Sequence, residues 1–378
     1  MTNRNYRFIV TGGGTGGHIF PAVAIADALR RRYSSCEILF VGAEGRMEME
    51  RVPRAGYPIK AIPVAGLDRR HLLRNFGVLA KLLKAIRLAK QYTLDFQPDL
   101  VIGVGGYVSA PTVLSAQKLG IPTLLQEQNG FAGVANKRLA KRARAICVAY
   151  EGMERFFPAD KIHLTGNPIR EVIEKKPLPS REVAMEKLGF IHRESPTLVV
   201  VGGSLGALTL NESIESGLEA ISASGINLLW QTGKTFFPRA KQTVEKLSHE
   251  AQSYILPVPF IDDMPLAYAA SDLMISRAGA STISEIQCLG KAAILVPSPN
   301  VAEDHQTHNA LALVKKEAAS MVSDTDARAH LVEEALRLIQ DHAKLERFAQ
   351  NALTMRLLDA ADRIVEIIDH ILHDAKAE

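Results

Sequence analysis

One short pattern occurs twice in this chain, and the repetition limits what it can fold into. Phe8-Ile-Val-Thr runs into Gly12-Gly-Gly-Thr-Gly-Gly17, and Leu198-Val-Val-Val runs into Gly202-Gly-Ser-Leu-Gly-Ala207. Each reads as a buried strand, a glycine-rich turn and the start of a helix, the opening of a doubly wound α/β unit. Two such openings in 378 residues predict two domains.

The rest of the sequence keeps the same alternation. Strands are expected at Arg7–Thr11, Glu37–Val41, Leu100–Gly103, Thr123–Gln126 and Ala145–Val148, then at Thr197–Val201, Asn227–Gln231, Ser253–Val258, Leu273–Ser276 and Ala293–Val296. Helices are expected at Pro21–Arg32, Leu72–Tyr92, Ala110–Leu119 and Val134–Arg142, and again from about Leu331 to His373. Strand–helix alternation implies parallel sheets covered on both faces. The joint is expected near Gly166-Asn-Pro-Ile-Arg170, before the polar stretch Lys175–Ser180.

Composition narrows the setting. No run approaches the roughly 18 apolar residues of a membrane span, and Met1–Val10 carries no secretory pattern. A cytoplasmic location is the resulting expectation. Cys36, Cys147 and Cys288 have neither disulfide nor metal spacing. Residues 1–165 carry 24 Lys and Arg against 12 Asp and Glu, whereas the remainder carry 21 against 29. A basic first half suggests an anionic partner there: nucleic acid, a membrane surface or a pyrophosphate. No nucleic-acid-binding signature is evident.

Several motifs fall where strands end. Gly12–Gly17 can let a phosphate approach the backbone, and the following helix start offers N–H groups and a positive dipole end. Pro21 is expected in that helix's first turn. His18 stands beside the loop, either as a base or as a neutral local cap. The dinucleotide-dehydrogenase reading expects an acid closing the second strand, and Glu37 opens it instead. In the second half, Ser204 and the amides of Gly202–Ala207 suit a diphosphate. Gly103–Tyr107 and Glu127–Gly130 end other strands, with Asn129 either a sugar contact or a turn residue. In Arg277–Glu285, Ser281, Thr282 and Ser284 mark a helix start. Glu285 there is either a cap or a ribose acceptor. His305 and His308, near Gln306, lack a partner at recognised metal-ligand spacing, so neither metal nor cofactor is expected. Arg69–Tyr92 is basic and amphipathic through Leu72, Phe76, Leu79, Leu83 and Ile86. That face packs on its own sheet or meets anionic lipid.

Together these segments closely resemble the peptidoglycan N-acetylglucosaminyltransferase family, the MurG enzymes, which convert lipid I to lipid II. The resemblance spans nearly the whole chain and includes Phe260–Met264 and Asp304–Ala310. It implies a GT-B fold, with two Rossmann-like doubly wound domains facing across a cleft. Residues 1–165 would form an acceptor- and membrane-facing domain and 166–345 a UDP-sugar-binding domain. Helices in 346–378 would pack back towards the first. The implied partners are UDP-N-acetylglucosamine, the lipid I acceptor and the anionic inner face of the cell membrane, with no nucleic acid. Carried over by position, Ile261 lies beside uracil and Glu285 holds ribose. Ser204, Ala280, Ser281 and Thr282 lie near the diphosphate and sugar. Gln306, Asn129 and Arg170 complete the pocket. Thr15, Gly16 and Gly17 meet either the donor or the acceptor's pyrophosphate. His18 is the expected base of an inverting displacement. The rival readings are a GT-B glycolipid synthase with another acceptor and a non-catalytic nucleotide-sugar sensor.

Overall fold

The computed structural model describes residues 5–63, 75–203 and 205–374, with the side chains of residues 75–79 and 302 outside it. The chain forms two compact units. The first contains the residues up to Arg170 together with those from Leu357 onward, and the second is Glu171–Arg356.

The first unit holds a seven-stranded parallel sheet: β1 (Arg7–Thr11), β2 (Glu37–Ala43), β3 (Ile59–Ile62), β4 (Leu100–Gly103), β5 (Thr123–Glu127), β6 (Ala145–Val148) and β7 (Ile162–Leu164). Its order is β3-β2-β1-β4-β5-β6-β7. The second holds β8 (Thr197–Val201), β9 (Asn227–Gln231), β10 (Ile255–Val258), β11 (Leu273–Ser276), β12 (Ala293–Leu295) and β13 (Ser320–Met321), in order β10-β9-β8-β11-β12-β13. Both are α/β doubly wound sheets. Strand order reverses between β1 and β4 and again between β8 and β11. The crevice beside such a reversal, at the carboxyl ends of the strands, is where ligands bind in open parallel sheets.

Continuous apolar strands follow from burial on both faces. Phe8 and Val10 of β1 pack with Ile25 and Leu29 of the helix Gly16–Arg32. Ile9 points the other way, into a second layer with Val101, Val113 and Ala116. Ile9 pairs in register with Leu39 on one side and Val101 on the other. In the second unit, Leu198 and Val200 share a layer with Trp230, Leu210 and Leu331.

All ten expected strands are present, and three more were not expected. β3, β7 and β13 are short edge strands, half-exposed or exposed along much of their length. The helix after the first glycine loop starts at Gly16, so Pro21 lies in its interior and not in its first turn. It therefore removes a ladder bond to the Gly17 carbonyl. The helix expected at Leu72–Tyr92 is described over Asn75–Phe96. It stops at Gln97, which takes φ 49° ahead of Pro98, a left-handed end before a residue that cannot continue a helix. Residues 69–74 lie outside the described region, as do the side chains of Phe76 and Leu79. The buried face runs through Ala85 and Ala89, with Leu88, Tyr92 and Phe96 packed beside them. Leu83 is 61% exposed, so the apolar stripe expected through it is not the face that meets the sheet.

The expected boundary at 345/346 falls inside the helix His342–Thr354, which clusters with the second unit, whereas Ala360–Asp374 clusters with the first. Ile364, Val365, Ile368, Ile371 and Leu372 recur at helical spacing and join the layer of Phe8 and Leu29. Arg31 pairs with Asp362 at 2.8 Å, and Arg32 and the Tyr33 hydroxyl meet Asp369. The exposed pairs add little; the apolar face supplies most of the attachment.

Candidate functional site

The first unit's ligand edge is two glycine loops laid against each other. Gly106 has φ 82°, and a Cβ there would come 2.5 Å from the Gly13 carbonyl oxygen. Only glycine permits that approach. Glu48, fully buried, holds the first loop from behind. Its carboxylate accepts the Ala43 N–H at 2.9 Å and the Gly14 N–H at 3.1 and 3.2 Å. Gly13 has no room for a side chain because Glu48 fills that space. Thr15 is the N-cap of the helix Gly16–Arg32, and its side chain does not bond the helix backbone. Its hydroxyl lies 3.1 Å from His18 Nδ1. Among the described residues, the Thr15, Gly16 and Gly17 N–H groups have no hydrogen-bond acceptor.

His18 faces Gly105: a Cβ built there would be 3.1 Å from its Nε2. Behind Gly105 lies a buried amide chain. Asn167 donates to the Gln128 carbonyl at 3.0 Å, and Gln126 donates to Asn167 Oδ1 at 3.0 Å. Gln128 donates to Gln126 and, at 2.5 Å, to the Val104 carbonyl. Asn129 is half-buried and rests on Glu127, which accepts its N–H at 3.2 Å and its amide at 3.3 Å. Glu127 also accepts the Gly133 N–H and the Asn136 amide. Burial raises the Glu127 pKa despite these bonds. Arg170 places its guanidinium 5.4 Å from the Phe20 ring centre, within cation–π range. The structure thus brings Thr15, Gly16, Gly17 and His18 together, with Asn129 two strands away.

In the second unit, the glycine loop after β8 packs on the end of β9. Gly206 has φ 78°, and a Cβ there would run into the Thr232 carbonyl oxygen. Ser204 lies outside the described residues. Gln231, buried at the end of β9, bridges two loops: it donates to the Gly203 carbonyl at 2.9 Å and accepts the Ile261 N–H at 3.0 Å. Ile261 is itself buried, and this bond fixes its backbone.

After β11, Gly279 is the N-cap of the helix Ala280–Leu289. Ala280, Ser281 and Thr282 occupy its first turn. Ser281 Oγ is buried and, among the described residues, has no hydrogen-bond partner. Glu285 sits one turn further in, 6% exposed, and accepts the hydroxyl of fully buried Tyr268 at 2.6 Å. Asn309 donates to the Ala278 carbonyl at 3.3 Å, tying the helix His305–Val314 to this turn. Gln306, on the same helix, accepts the Ser298 N–H at 2.9 Å. Arg277 donates to Asp324 at 2.5 Å and to the Val296 and Pro297 carbonyls, and Asp324 accepts the Thr209 hydroxyl at 3.1 Å.

Sequence reasoning missed Glu48, Gln231, Tyr268 and Asp324. Gln231 left a signal: a polar residue closing a buried strand at the ligand-binding edge. Glu48 left none, because its partners are set by tertiary structure.

The arrangement suits a diphosphate-bearing ligand: uncapped helix starts at both reversals, an orphaned hydroxyl, and a carboxylate beyond it. Comparison agrees. Residues 8–148 match the model of the glycosyltransferase family 28 N-terminal domain, and residues 197–364 match that of its C-terminal domain. The UDP-N-acetylglucosamine–N-acetylmuramyl-(pentapeptide) pyrophosphoryl-undecaprenol N-acetylglucosamine transferase of Porphyromonas gingivalis is 54% identical over 99% of this chain and 98% of its own length. That of Parabacteroides distasonis is 51% identical over 98% and 99%. The crystal structure of Acinetobacter baumannii MurG superposes with a TM-score of 0.73 at 28% identity, covering 97% of this chain and 100% of that one. Sharing more than half its residues with such transferases over nearly its whole length, the chain belongs to glycosyltransferase family 28.

Proposed function

We infer that this chain transfers N-acetylglucosamine from UDP-N-acetylglucosamine to undecaprenyl-pyrophosphoryl-N-acetylmuramoyl-pentapeptide, the lipid I to lipid II step of peptidoglycan synthesis. The observation that carries this is the 54% identity, over 99% of the chain, to a transferase of that name.

The donor falls to the second unit. Glu285, oriented by Tyr268, accepts the ribose hydroxyls, and Ile261 lies against uracil. The amides of Ala280, Ser281 and Thr282 face the diphosphate, where the helix dipole stabilises the charge that develops on UDP. The Ser281 hydroxyl, buried and without a hydrogen-bond partner among the described residues, supports a ligand there. Ser204 and Gln306 reach the phosphate and sugar.

The acceptor falls to the first unit. The Thr15, Gly16 and Gly17 amides take its pyrophosphate, while Asn129 and Arg170 remain assigned to the donor's sugar. The acceptor's C4 oxygen attacks C1 of the donor sugar on the face opposite UDP. The bond from C1 to the phosphate oxygen breaks, and its electron pair leaves on UDP. The hydroxyl proton passes to His18, which Thr15 orients through Nδ1. The configuration at C1 inverts.

The enzyme works at the inner face of the cell membrane. No described helix is long and apolar enough to cross a bilayer. Leu82 and Leu83, 44% and 61% exposed, lie among exposed Lys81, Lys84 and Arg87, a combination that favours anionic lipid. The decisive assay incubates purified protein with labelled UDP-N-acetylglucosamine and lipid I. A labelled disaccharide-pentapeptide lipid supports the reading. Turnover with other lipid acceptors but none with lipid I refutes it.

A further inference from the structure

We propose that Lys137 and Arg155 form a carboxylate-binding subsite for the acceptor's peptide stem, on the flank of the loop that carries Asn129. The inference rests on the acceptor assignment above and extends it to a part of the substrate that no residue so far contacts.

The two cations are held in place before any ligand arrives. Phe131 and Phe156 meet edge to face, with ring centres 4.7 Å apart. Lys137 Nζ stands 4.9 Å from the Phe131 centre and 5.4 Å from the Phe156 centre. The Arg155 guanidinium lies 4.8 Å from the same Phe156 ring and donates to the Gly130 carbonyl at 2.8 Å. Both cations therefore sit over one aromatic ring, within cation–π range. Among the described residues neither has a carboxylate within ion-pair distance, not even neighbouring Glu154. Glu127, the one acid between residues 127 and 137, is turned inward with its oxygens occupied by Asn129, Gly133 and Asn136. The loop thus keeps its negative charge below the surface and two oriented positive charges beside it.

Position indicates which anion they serve. The pyrophosphate loop follows β1; Lys137 follows β5, and Arg155 follows β6, two and three strands along the sheet. At about 4.8 Å per strand, that is roughly 10–15 Å. The acceptor's pyrophosphate leaves C1 of the muramoyl sugar, and the peptide leaves the lactyl group on C3. A five-residue stem reaches up to about 17 Å, enough to bring its carboxylates to the two cations. Side-chain cations favour carboxylates over neutral peptide groups through charge-assisted hydrogen bonds.

The test compares two short-chain acceptors, one carrying the free pentapeptide and one with its peptide carboxylates converted to amides. With the unaltered protein, KM for the amidated acceptor is expected to be about tenfold higher, at similar kcat. Lys137→Met and Arg155→Met are expected to raise KM for the free-acid acceptor about 2- to 5-fold each. They leave KM for the amidated acceptor and for UDP-N-acetylglucosamine unchanged, and Lys137→Arg restores most of the loss. Equal KM for the two acceptors with the unaltered protein overturns the proposal and needs no variant. So does a Lys137→Met loss that is the same for both acceptors, or one seen only as weaker binding to phosphatidylglycerol vesicles. Absence of transfer to either acceptor by the unaltered protein would instead overturn the acceptor assignment itself.

Discussion

Removing Glu48 tests whether the first glycine loop is held by one buried carboxylate. In Glu48→Ala, the Ala43 N–H loses its 2.9 Å acceptor and the Gly14 N–H loses contacts at 3.1 and 3.2 Å. Ala43 is buried, so its donor stays unmet at about 1–3 kcal/mol; Gly14 is exposed and water replaces part of its bond, at about 1 kcal/mol. Losing the side-chain methylenes adds about 1 kcal/mol, offset in part because no carboxylate remains to desolvate. The net expectation is about 2–4 kcal/mol, or a fall of roughly 5–10 °C in the first unit's thermal transition. Glu48→Gln separates charge from shape. Its oxygen can still meet Ala43 and Gly14, but its amide nitrogen then faces the Gly14 N–H donor to donor. A cost of about 1–2 kcal/mol follows. Both variants let the Thr15–Gly17 amides drift, and kcat/KM for lipid I should fall about 10- to 100-fold, with KM for the donor nearly unchanged. Scanning calorimetry and initial rates read the two effects. If Glu48→Ala melts within a degree of the parent and keeps its kcat/KM, the loop is positioned by something else.

Three further outcomes follow from the same geometry. His18→Ala should lower kcat about 10²- to 10⁴-fold while donor KM stays within about twofold; full turnover at saturating substrates would remove His18 as the base. Tyr268→Phe removes a 2.6 Å bond to Glu285 and should weaken UDP binding about tenfold, read by titration calorimetry. Unchanged affinity would mean that Glu285 does not need the hydroxyl, or does not hold ribose. Glu127 titrates higher in the folded chain than unfolded, chiefly through burial, so the folded state binds its proton more readily. Its contribution to stability is therefore fullest below its unfolded pKa and is lost as pH rises through its folded pKa. Glu127→Gln should flatten that part of the stability–pH curve in denaturant titrations; an unaltered slope would assign it to another group.

Much of the fold could be read from sequence because its strongest signals are local. Central strands such as Leu198–Val201 and Leu100–Gly103 are buried on both faces, which forces an unbroken apolar run that the eye finds. Ile59-Lys-Ala-Ile62 escaped because a four-residue edge strand interrupted by a lysine makes too short an apolar run to stand out. The site was half legible for a related reason. Thr15, Gly16, Gly17 and His18 are neighbours in one motif, so their grouping is written in the sequence. Their supports are not. Glu48 reaches Gly14 across 34 positions, and Asp324 reaches Thr209 across 115. Single-sequence patterns carry no information on such partnerships. For the basic helix the sequence left open whether the face through Leu83 packs on the sheet or meets lipid, because its charge pattern is nearly the same whichever apolar face turns inward; the small buried residues Ala85 and Ala89 mark the face that meets the sheet.

The two ligand edges meet one electrostatic requirement by different means. In the proposed function both receive phosphate, and a carboxylate exposed at either would repel it. In the first unit, Glu48 and Glu127 lie directly under the binding loops, yet each is saturated by N–H donors from the loop it supports. A carboxylate spent in this way fixes the backbone strongly, and its charge is delocalised into amide dipoles that face away from the ligand. The surrounding excess of Lys and Arg then sets the sign of the field. The second unit has a net acidic sequence and cannot rely on such an excess. Its loops are pinned by neutral groups, Gln231 and Asn309, and by an Arg277–Asp324 pair whose charges cancel locally. That leaves helix-terminal amides as the main attraction for a diphosphate, with Glu285 one helical turn deeper, where the proposed function assigns it the ribose. The first edge is accordingly expected to lose affinity steeply with added salt and the second only weakly. Measuring KM for lipid I and for UDP-N-acetylglucosamine across one salt series would show whether the two dependences separate.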